Sequence, residues 1–351
     1  MKALIYADLQ ATDGHEQCWH DPTIPLQRWR VQKFFQELHK IFENKECDGL
    51  VDLGDTFDDR DAIPVPTIDT VLEGLELFGK PTSEFANIKL VGNHDQFIRS
   101  GDVHSGRLFK PFFDVIDEPR ICMTDDQSTR IICLPYPPND KEMMTWLREA
   151  QEATQGLKTI LLGHFQVLGS MLGDGPSVSG VPLRMLESFS IVLLGHVHVP
   201  QSMGNVHYIG SPFQQDFGEK NQVKRVAILD TKTLTLEWIP LDGFPRYIET
   251  DLGAFMKCVT QDGEDRYRVH LKSAQEAEIY YAHPMASRAQ PILSYDLVQE
   301  EKQGKSASPT WSTRAILERH VEAVPPASFG ISLPKQEMVD ISLQIAESPA
   351  Q

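Results

Sequence analysis

Ligand-type side chains recur in this chain at the ends of short aliphatic runs. The run IVLL at 191–194 stops at Gly195 and then presents His196 and His198 on alternate positions, setting two imidazoles side by side where a strand opens into a loop. A lone pair of this kind is an ordinary turn. Here four other runs end in the same way: LIYAD at Asp8, LVDLGD at Asp55, LVGNHD at Asn93 and His94, and LLGH at His164. Two carboxylates, an amide and three imidazoles make a hard-to-borderline donor set without sulfur, suited to manganese, iron or zinc. A carboxylate can bridge two cations while imidazoles and an amide oxygen complete each shell. Two cations about 3.5–4 Å apart activate a water and stabilise the charge developing on a phosphoryl oxygen. The chemistry implied is hydrolysis of a phosphate ester, with His94 as donor of the proton the leaving oxygen needs.

For these side chains to meet, the fold must gather five strand ends at one edge. Hydrophobic patterning predicts strands at 2–7, 49–53, 87–91, 129–134 and 159–162, and helices at 25–44, 67–78 and 140–153. In the first helix Leu26, Trp29, Phe34, Leu38, Ile41 and Phe42 recur near helical spacing, with Pro25 suited to its first turn. Alternation of strand and helix predicts a layered α/β core. Beyond the GHVH pair, strands are expected at 206–209, 223–229 and 235–239, belonging to a second sheet that packs face to face on the first with helices outside. The stretch 166–181 is rich in glycine and serine and reads as a mobile loop beside the site. Trp29, Trp146 and Trp238 lie in periodic apolar settings and are expected in the core.

Composition narrows the class. With 351 residues and 41% hydrophobic content the chain can fill one large core and a smaller one. Its five cysteines are odd in number and show no CxxC spacing, which argues against a disulfide framework or thiolate metal site and fits a reducing cytoplasm. No apolar stretch approaches the roughly 20 residues that span a bilayer, and MKALIYAD reads as a strand rather than a targeting segment. The net charge of −17 opposes nonspecific adhesion to nucleic acid, although bound cations would neutralise some acidic groups and a partner could supply basic surface.

The series Asp8, GD at 54–55, GNHD at 92–95, GH at 163–164 and GHVH at 195–198 resembles the calcineurin-like metallophosphoesterase superfamily. GDTFDDR at 54–60, YIGSP at 208–212 and the following FQQDFGE narrow the resemblance to the SbcD-type subunits of DNA double-strand-break repair nucleases, including their short phage forms. It covers roughly residues 1–240. The resemblance implies a two-sheet β-sandwich core flanked by helices, with a small α+β capping domain and C-terminal helices. It would give Asp8 and His198 to one metal, Asn93, His164 and His196 to the other, Asp55 to both as the bridge, and His94 to the leaving group. It implies two divalent ions, usually Mn2+, with Mg2+, Fe2+ or Zn2+ as alternatives. It also implies exonuclease and endonuclease action on DNA, a homodimer, and an SMC-like coiled-coil ATPase of SbcC type as partner. One position departs from the pattern. The first motif normally reads Asp, any residue, His, and here it is Asp8, Leu9, Gln10. Glutamine oxygen can coordinate, but as a weaker neutral donor than imidazole; His15 or His20 from the following loop is the alternative. At Asp58 some relatives carry histidine.

The expected organisation is a nuclease domain at 1–243, a DNA-capping domain at 244–285, a linker at 286–311, and a helical segment at 312–351 that docks on the ATPase, with Trp311 as an aromatic anchor beside it. Two other readings stand beside DNA cleavage: a small-molecule phosphodiesterase or phosphatase, which the negative charge favours, and a non-catalytic binding scaffold, which Gln10 favours.

Overall fold

The computed structural model describes residues 1–293, apart from 15, 19–20, 22, 80–86, 99–102, 125–126, 155, 174 and 260–262. The expected docking segment, Trp311 and most of the expected linker lie outside the described residues, as do His15 and His20.

Residues 1–14 and 24–244 form one compact unit. Among its described residues two six-stranded sheets account for the core. The first has the spatial order Thr235–Pro240, Arg225–Asp230, Lys2–Tyr6, Gly49–Asp52, Ile88–Leu90 and Asp114–Ile116. The second runs Gln201–Met203, Val206–Tyr208, Ile191–Gly195, Lys158–His164, Thr129–Leu134 and Arg120–Met123. Successive side chains of a strand face opposite ways, and the burial follows that rule. Ala3, Ile5, Val51, Ile88 and Leu90 of one sheet meet Ile131, Cys133, Ile160, Leu162, Ile191 and Leu193 of the other in a shared inner core. The alternate residues Leu4, Tyr6 and Leu50 face outward onto Phe34, Phe35 and Leu38 of the helix Leu26–Asn44. On the other outer face Ile132, Leu161, Val192 and Leu194 pack against Met143 and Leu147 of the helix Asp140–Glu152. The result is four layers, helix, sheet, sheet, helix. Central strands buried on both faces must be apolar throughout, which is why IVLLG at 191–195 contains no polar side chain. Leu193→Ala in the inner core would cost about 2–5 kcal/mol.

The helices start where local chemistry allows. Asn139 caps Asp140–Glu152 by accepting from the Glu142 amide at 3.0 Å, and donates in return to the Glu142 carboxylate at 3.1 Å. Pro25 immediately precedes Leu26–Asn44 with φ −57, already set for the turn.

Three expectations for this unit are corrected. The strands at 225–230 and 235–240 belong to the first sheet: Arg225–Asp230 pairs antiparallel with Lys2–Tyr6, Lys2 opposite Asp230. Alternation decides which face of a strand is buried but not which neighbour it chooses. Within 166–181, Met171–Leu172 pairs with Gly175–Pro176 as a short hairpin, and Val167 and Ser170 are buried. The tryptophans are half-buried, Trp146 and Trp238 packing against core margins, with the Arg225 guanidinium 3.5 Å above the Trp238 ring.

The second unit comprises residues 15–23 and those from 245 onward. Tyr247–Asp251, Arg266–Leu271 and Ala289–Leu293 form a parallel sheet. Helices Leu252–Cys258 and Ala274–Ala282 bury Phe255, Ala277 and Tyr280 in the same core as Tyr267, Val269 and Leu271. Glu16 and Gln17 join it through Arg266, whose Nε donates to Glu16 at 3.1 Å and whose Nη2 donates to the Gln17 carbonyl at 2.9 Å. Residues 286–293, expected to begin a linker, instead form a short turn and the strand Ala289–Leu293. No helix among the described residues is long and apolar enough to cross a membrane.

Candidate metal centre

Five parallel-paired strands end together, and each is followed or closed by a candidate ligand. Lys2–Tyr6, Gly49–Asp52 and Ile88–Leu90 lead to Asp8, Asp55 and Asn93, and Lys158–His164 and Ile191–Gly195 lead to His164 and His196. Carboxyl ends of parallel strands are where such sheets place their sites. The first loop is strapped along the second: Asp8 N donates to the Gly54 carbonyl at 3.0 Å, Gln10 N to Asp55 at 3.1 Å and Ala11 N to Thr56 at 2.8 Å.

The backbone is strained at this edge. Asp8, Gln10, Asp55 and His196 have φ of 52, 51, 59 and 85, a region that non-glycine residues rarely occupy and that clusters at functional sites. Close approach also explains two glycines. A side chain at Gly92 would collide with the Asp55 carboxylate, and one at Gly195 would lie 2.8 Å from the Leu53 carbonyl and 2.9 Å from His164 Nδ1.

The donors converge. Asp55, His164 and His196 offer ligand atoms that all lie within 4.8 Å of one another. Asn93 Oδ1 joins them, 2.7 Å from His196 Nδ1 and 3.0 Å from His164 Nε2. Asp55 presents both oxygens: Oδ1 accepts from the His94 amide at 2.7 Å, while Oδ2 lies 3.3 Å from His164 Nε2 and 3.3 Å from Gln10 Nε2. Gln10 Nε2 also lies 3.5 Å from His198 Nε2. The Asp8 carboxylate accepts from the His196 amide at 2.9 and 3.1 Å. His94 Nδ1 is 2.6 Å from the Asp58 carbonyl. That carbonyl can only accept, so Nδ1 carries a proton and Nε2 is the nitrogen left for chemistry. All eight residues singled out in the sequence therefore meet at one strand edge.

Burial and proximity set the protonation. Burial pushes the Asp8 carboxyl up to about 6 despite the nearby histidines. Burial also acts to raise Asp55, but His164 beside it outweighs this and holds its carboxyl well below the usual range. His164 is pulled down by burial and more strongly up by Asp55, to about 9. His196 is pushed down to about 3 by burial and by His164, so it is the neutral imidazole of the cluster.

These residues fit divalent cations. His164 directs Nδ1 at the Leu53 carbonyl, 2.7 Å away, which fixes Nε2 as its ligand nitrogen. Gln10 Oε1 is buried without a hydrogen-bond partner among the described residues, an acceptor that a cation would satisfy.

Sequence reasoning passed over the supports of the site. Glu219 accepts from His198 Nδ1 at 2.9 Å, from the Ser211 hydroxyl at 3.2 Å and from the Gln215 amide at 3.0 Å, and pairs with Lys224 at 2.7 Å. Burial would raise its carboxyl, but His198 and Lys224 bring it down to about 2. Asp95 ties two loops together by accepting from the Asp55 and Gly92 amides, each at 2.9 Å. Lys89, fully buried, reaches Asp52 at 2.9 Å, Thr56 at 2.5 Å and Asp95 at 3.4 Å. The Tyr136 ring lies against His196 and His164, with centroids 5.6 and 6.1 Å apart. The available signals were the final Asp of GNHD and the Glu of FQQDFGE, polar residues in segments already singled out.

Two packed sheets with a histidine and carboxylate cluster at their carboxyl ends define a metallophosphoesterase. The chain belongs to the calcineurin-like phosphoesterase family, whose pattern matches residues 1–200. It is 26% identical over 197 residues to exonuclease subunit 1 of Enterobacteria phage T4, a match covering 54% of this chain and 55% of that one. It is 25% identical over 256 residues to the SbcD component of the nuclease SbcCD of Staphylococcus epidermidis, covering 61% and 63%. The chain thus spans between half and two-thirds of the length of these curated relatives. A dimetal phosphatase from Danio rerio is 12% identical, with 69% of this chain and 99% of that chain covered at a TM-score of 0.41.

Proposed function

We propose that this chain is the nuclease subunit of a DNA double-strand-break processing machine, hydrolysing DNA phosphodiesters as exonuclease and endonuclease with two Mn2+ ions. The observation that carries the reading is the convergence of Asp8, Asp55, Asn93, His164, His196 and His198 at one strand edge with His94 beside them. Similarity to two nuclease subunits supports DNA as the substrate. Asp8, Gln10 and His198 would hold one cation and Asn93, His164 and His196 the other, with Asp55 shared. The bound ions supply a water of lowered pKa and neutralise charge on the phosphoryl oxygens.

The chain's own residues do the rest. Asp55 is kept ionised by His164 and so offers both oxygens at neutral pH. The Leu53 carbonyl holds His164 in the tautomer that exposes Nε2. His94, anchored through Nδ1 on Asp58, would in its doubly protonated form give its Nε2 proton to the departing oxygen. The second unit would cap the DNA, and 312–351 would dock an SMC-like ATPase of SbcC type. The chain would pair as a homodimer and work in the cytoplasm.

The charge of −17 favours one other substrate, a small phosphodiester or phosphomonoester. Mn2+-dependent degradation of linear double-stranded DNA by the full chain, beside a chromogenic phosphodiester and with His94→Ala as control, separates the two. DNA cleavage lost in the variant is the expected result. Turnover of the small ester alone would transfer the assignment to it, and no turnover of either with metal bound would leave a scaffold.

A further inference from the structure

Gln10 is the one ligand-position residue whose donor atom points the wrong way. Its amide nitrogen, not its oxygen, stands 3.3 Å from Asp55 Oδ2 and 3.5 Å from His198 Nε2, while Oε1 is buried without a hydrogen-bond partner among the described residues. An orphaned buried carbonyl is costly, so something must hold this orientation. The alternative turns Oε1 toward Asp55 Oδ2. That sets two acceptor oxygens face to face. Two such oxygens in a buried space repel one another unless a cation lies between them. The amide N–H group of Gln10 thus takes the position facing Asp55 that a cation would occupy.

The other half of the centre is built differently. Asn93 Oδ1 already faces His164 Nε2 and His196 Nδ1, at 3.0 and 2.7 Å. That half has two imidazoles, one amide oxygen and a share of Asp55. The Gln10 half has one imidazole, with the Asp8 carboxylate, the Asp55 share and a neutral amide oxygen that must first give up its hydrogen bond. Imidazole is the better donor to borderline divalent metals, and oxygen donors suit harder ions.

We infer that Gln10 makes the two metal sites unequal: the Asn93, His164 and His196 site fills first, and the Asp8, Gln10 and His198 site fills later, after its amide has turned. The inference rests on the two-cation reading proposed above and concerns affinity and order of filling. Gln10 acts here as a latch that keeps the second site closed at low metal concentration.

Isothermal titration of the metal-free full chain with Mn2+ tests it, with electron paramagnetic resonance of the bound Mn2+ as a second readout. The expected result is two resolved binding events, differing by about the 10- to 100-fold typical of losing one metal-site partner, with an isolated Mn2+ signal at one equivalent and a coupled pair only later. Gln10→His should tighten the second event and leave the first unchanged, bringing the coupled signal forward. Gln10→Glu, which needs no rotation, should shift in the same direction and covers the case in which the histidine variant does not fold. Two equal events in the unsubstituted chain would overturn the inference, as would variants that bind like it. DNA cleavage is scored separately: equal sites in a chain that cleaves DNA defeat this inference alone, whereas unequal sites in a chain that does not cleave DNA defeat the nuclease reading alone.

Discussion

Glu219 accepts a hydrogen bond from His198 Nδ1 at 2.9 Å and thereby leaves Nε2 as the nitrogen that ring turns toward Gln10 and the cluster. The carboxylate is itself held by Lys224 at 2.7 Å and by the Gln215 amide at 3.0 Å, so the orientation of His198 is set by a network and not by the loop that carries it.

Glu219→Ala is therefore expected to weaken Mn2+ binding by about 10- to 100-fold, as loss of a histidine's supporting carboxylate does. Calorimetric titration measures this, and unchanged affinity would show that His198 is oriented by something else. The same carboxyl gives the metal-free protein an acid-sensitive component. Its folded value of about 2 lies below the ordinary 4.5, so the stability it contributes is complete above pH 4.5 and disappears as pH falls toward 2. Urea unfolding across that window should show a loss that Glu219→Gln flattens.

His164 carries a proton that a metal bound at Nε2 would have to displace. Its folded value of about 9 keeps the ring charged at pH 7.5 in the metal-free chain, and only the unprotonated nitrogen can bind a cation. Mn2+ uptake at pH 7.5 should release about one proton from this ring, and affinity should rise with pH up to about 9. Calorimetry in two buffers of different ionisation heat counts the proton. The same release in His164→Ala would assign it to another group.

His94→Ala is expected to reduce cleavage by about 100- to 10,000-fold, the range for loss of a general acid, while both metal-binding events persist. The Asp55 contact to residue 94 comes from the backbone amide at 2.7 Å and survives the substitution. Loss of metal along with activity would make the ring structural.

Lys89→Met removes the only cation paired with Asp52 and Asp95 among the described ion pairs in that buried cluster. Stranding two buried carboxylates is expected to cost about 3–5 kcal/mol, read by urea unfolding. Asp95 also anchors the Asp55 and Gly92 amides, so metal affinity should fall with stability. A variant as stable as the parent would show that the cluster does not depend on Lys89.

Much of this molecule was legible from local pattern. The helix at 26–44 and the strand at 129–134 follow from spacings that a chain carries within a dozen residues. The candidate ligand positions stand out because each closes an aliphatic run, and a run buried on both faces can place a polar side chain only at its end. Periodicity, however, reports a face and not a neighbour. The strands Arg225–Asp230 and Thr235–Pro240 read as part of the second sheet, yet the first of them pairs with the strand that opens the chain.

The supports of the site were hidden for a related reason. Lys89, Asp95 and Glu219 are polar residues that resemble solvated surface in the sequence, and only the packed structure buries them. Their bonds join residues far apart, Asp55 to Asp95 across 40 positions and His198 to Glu219 across 21. The sequence by itself determined the candidate donor set, the strands that carry it and the departure at Gln10. The tertiary structure decided which nitrogen of each histidine is free, which way the Gln10 amide turns and what holds Asp55 in place. Those choices depend on which polar groups are brought together out of water, where a donor left without an acceptor is costly, and that pairing exists only after the two sheets have closed on each other.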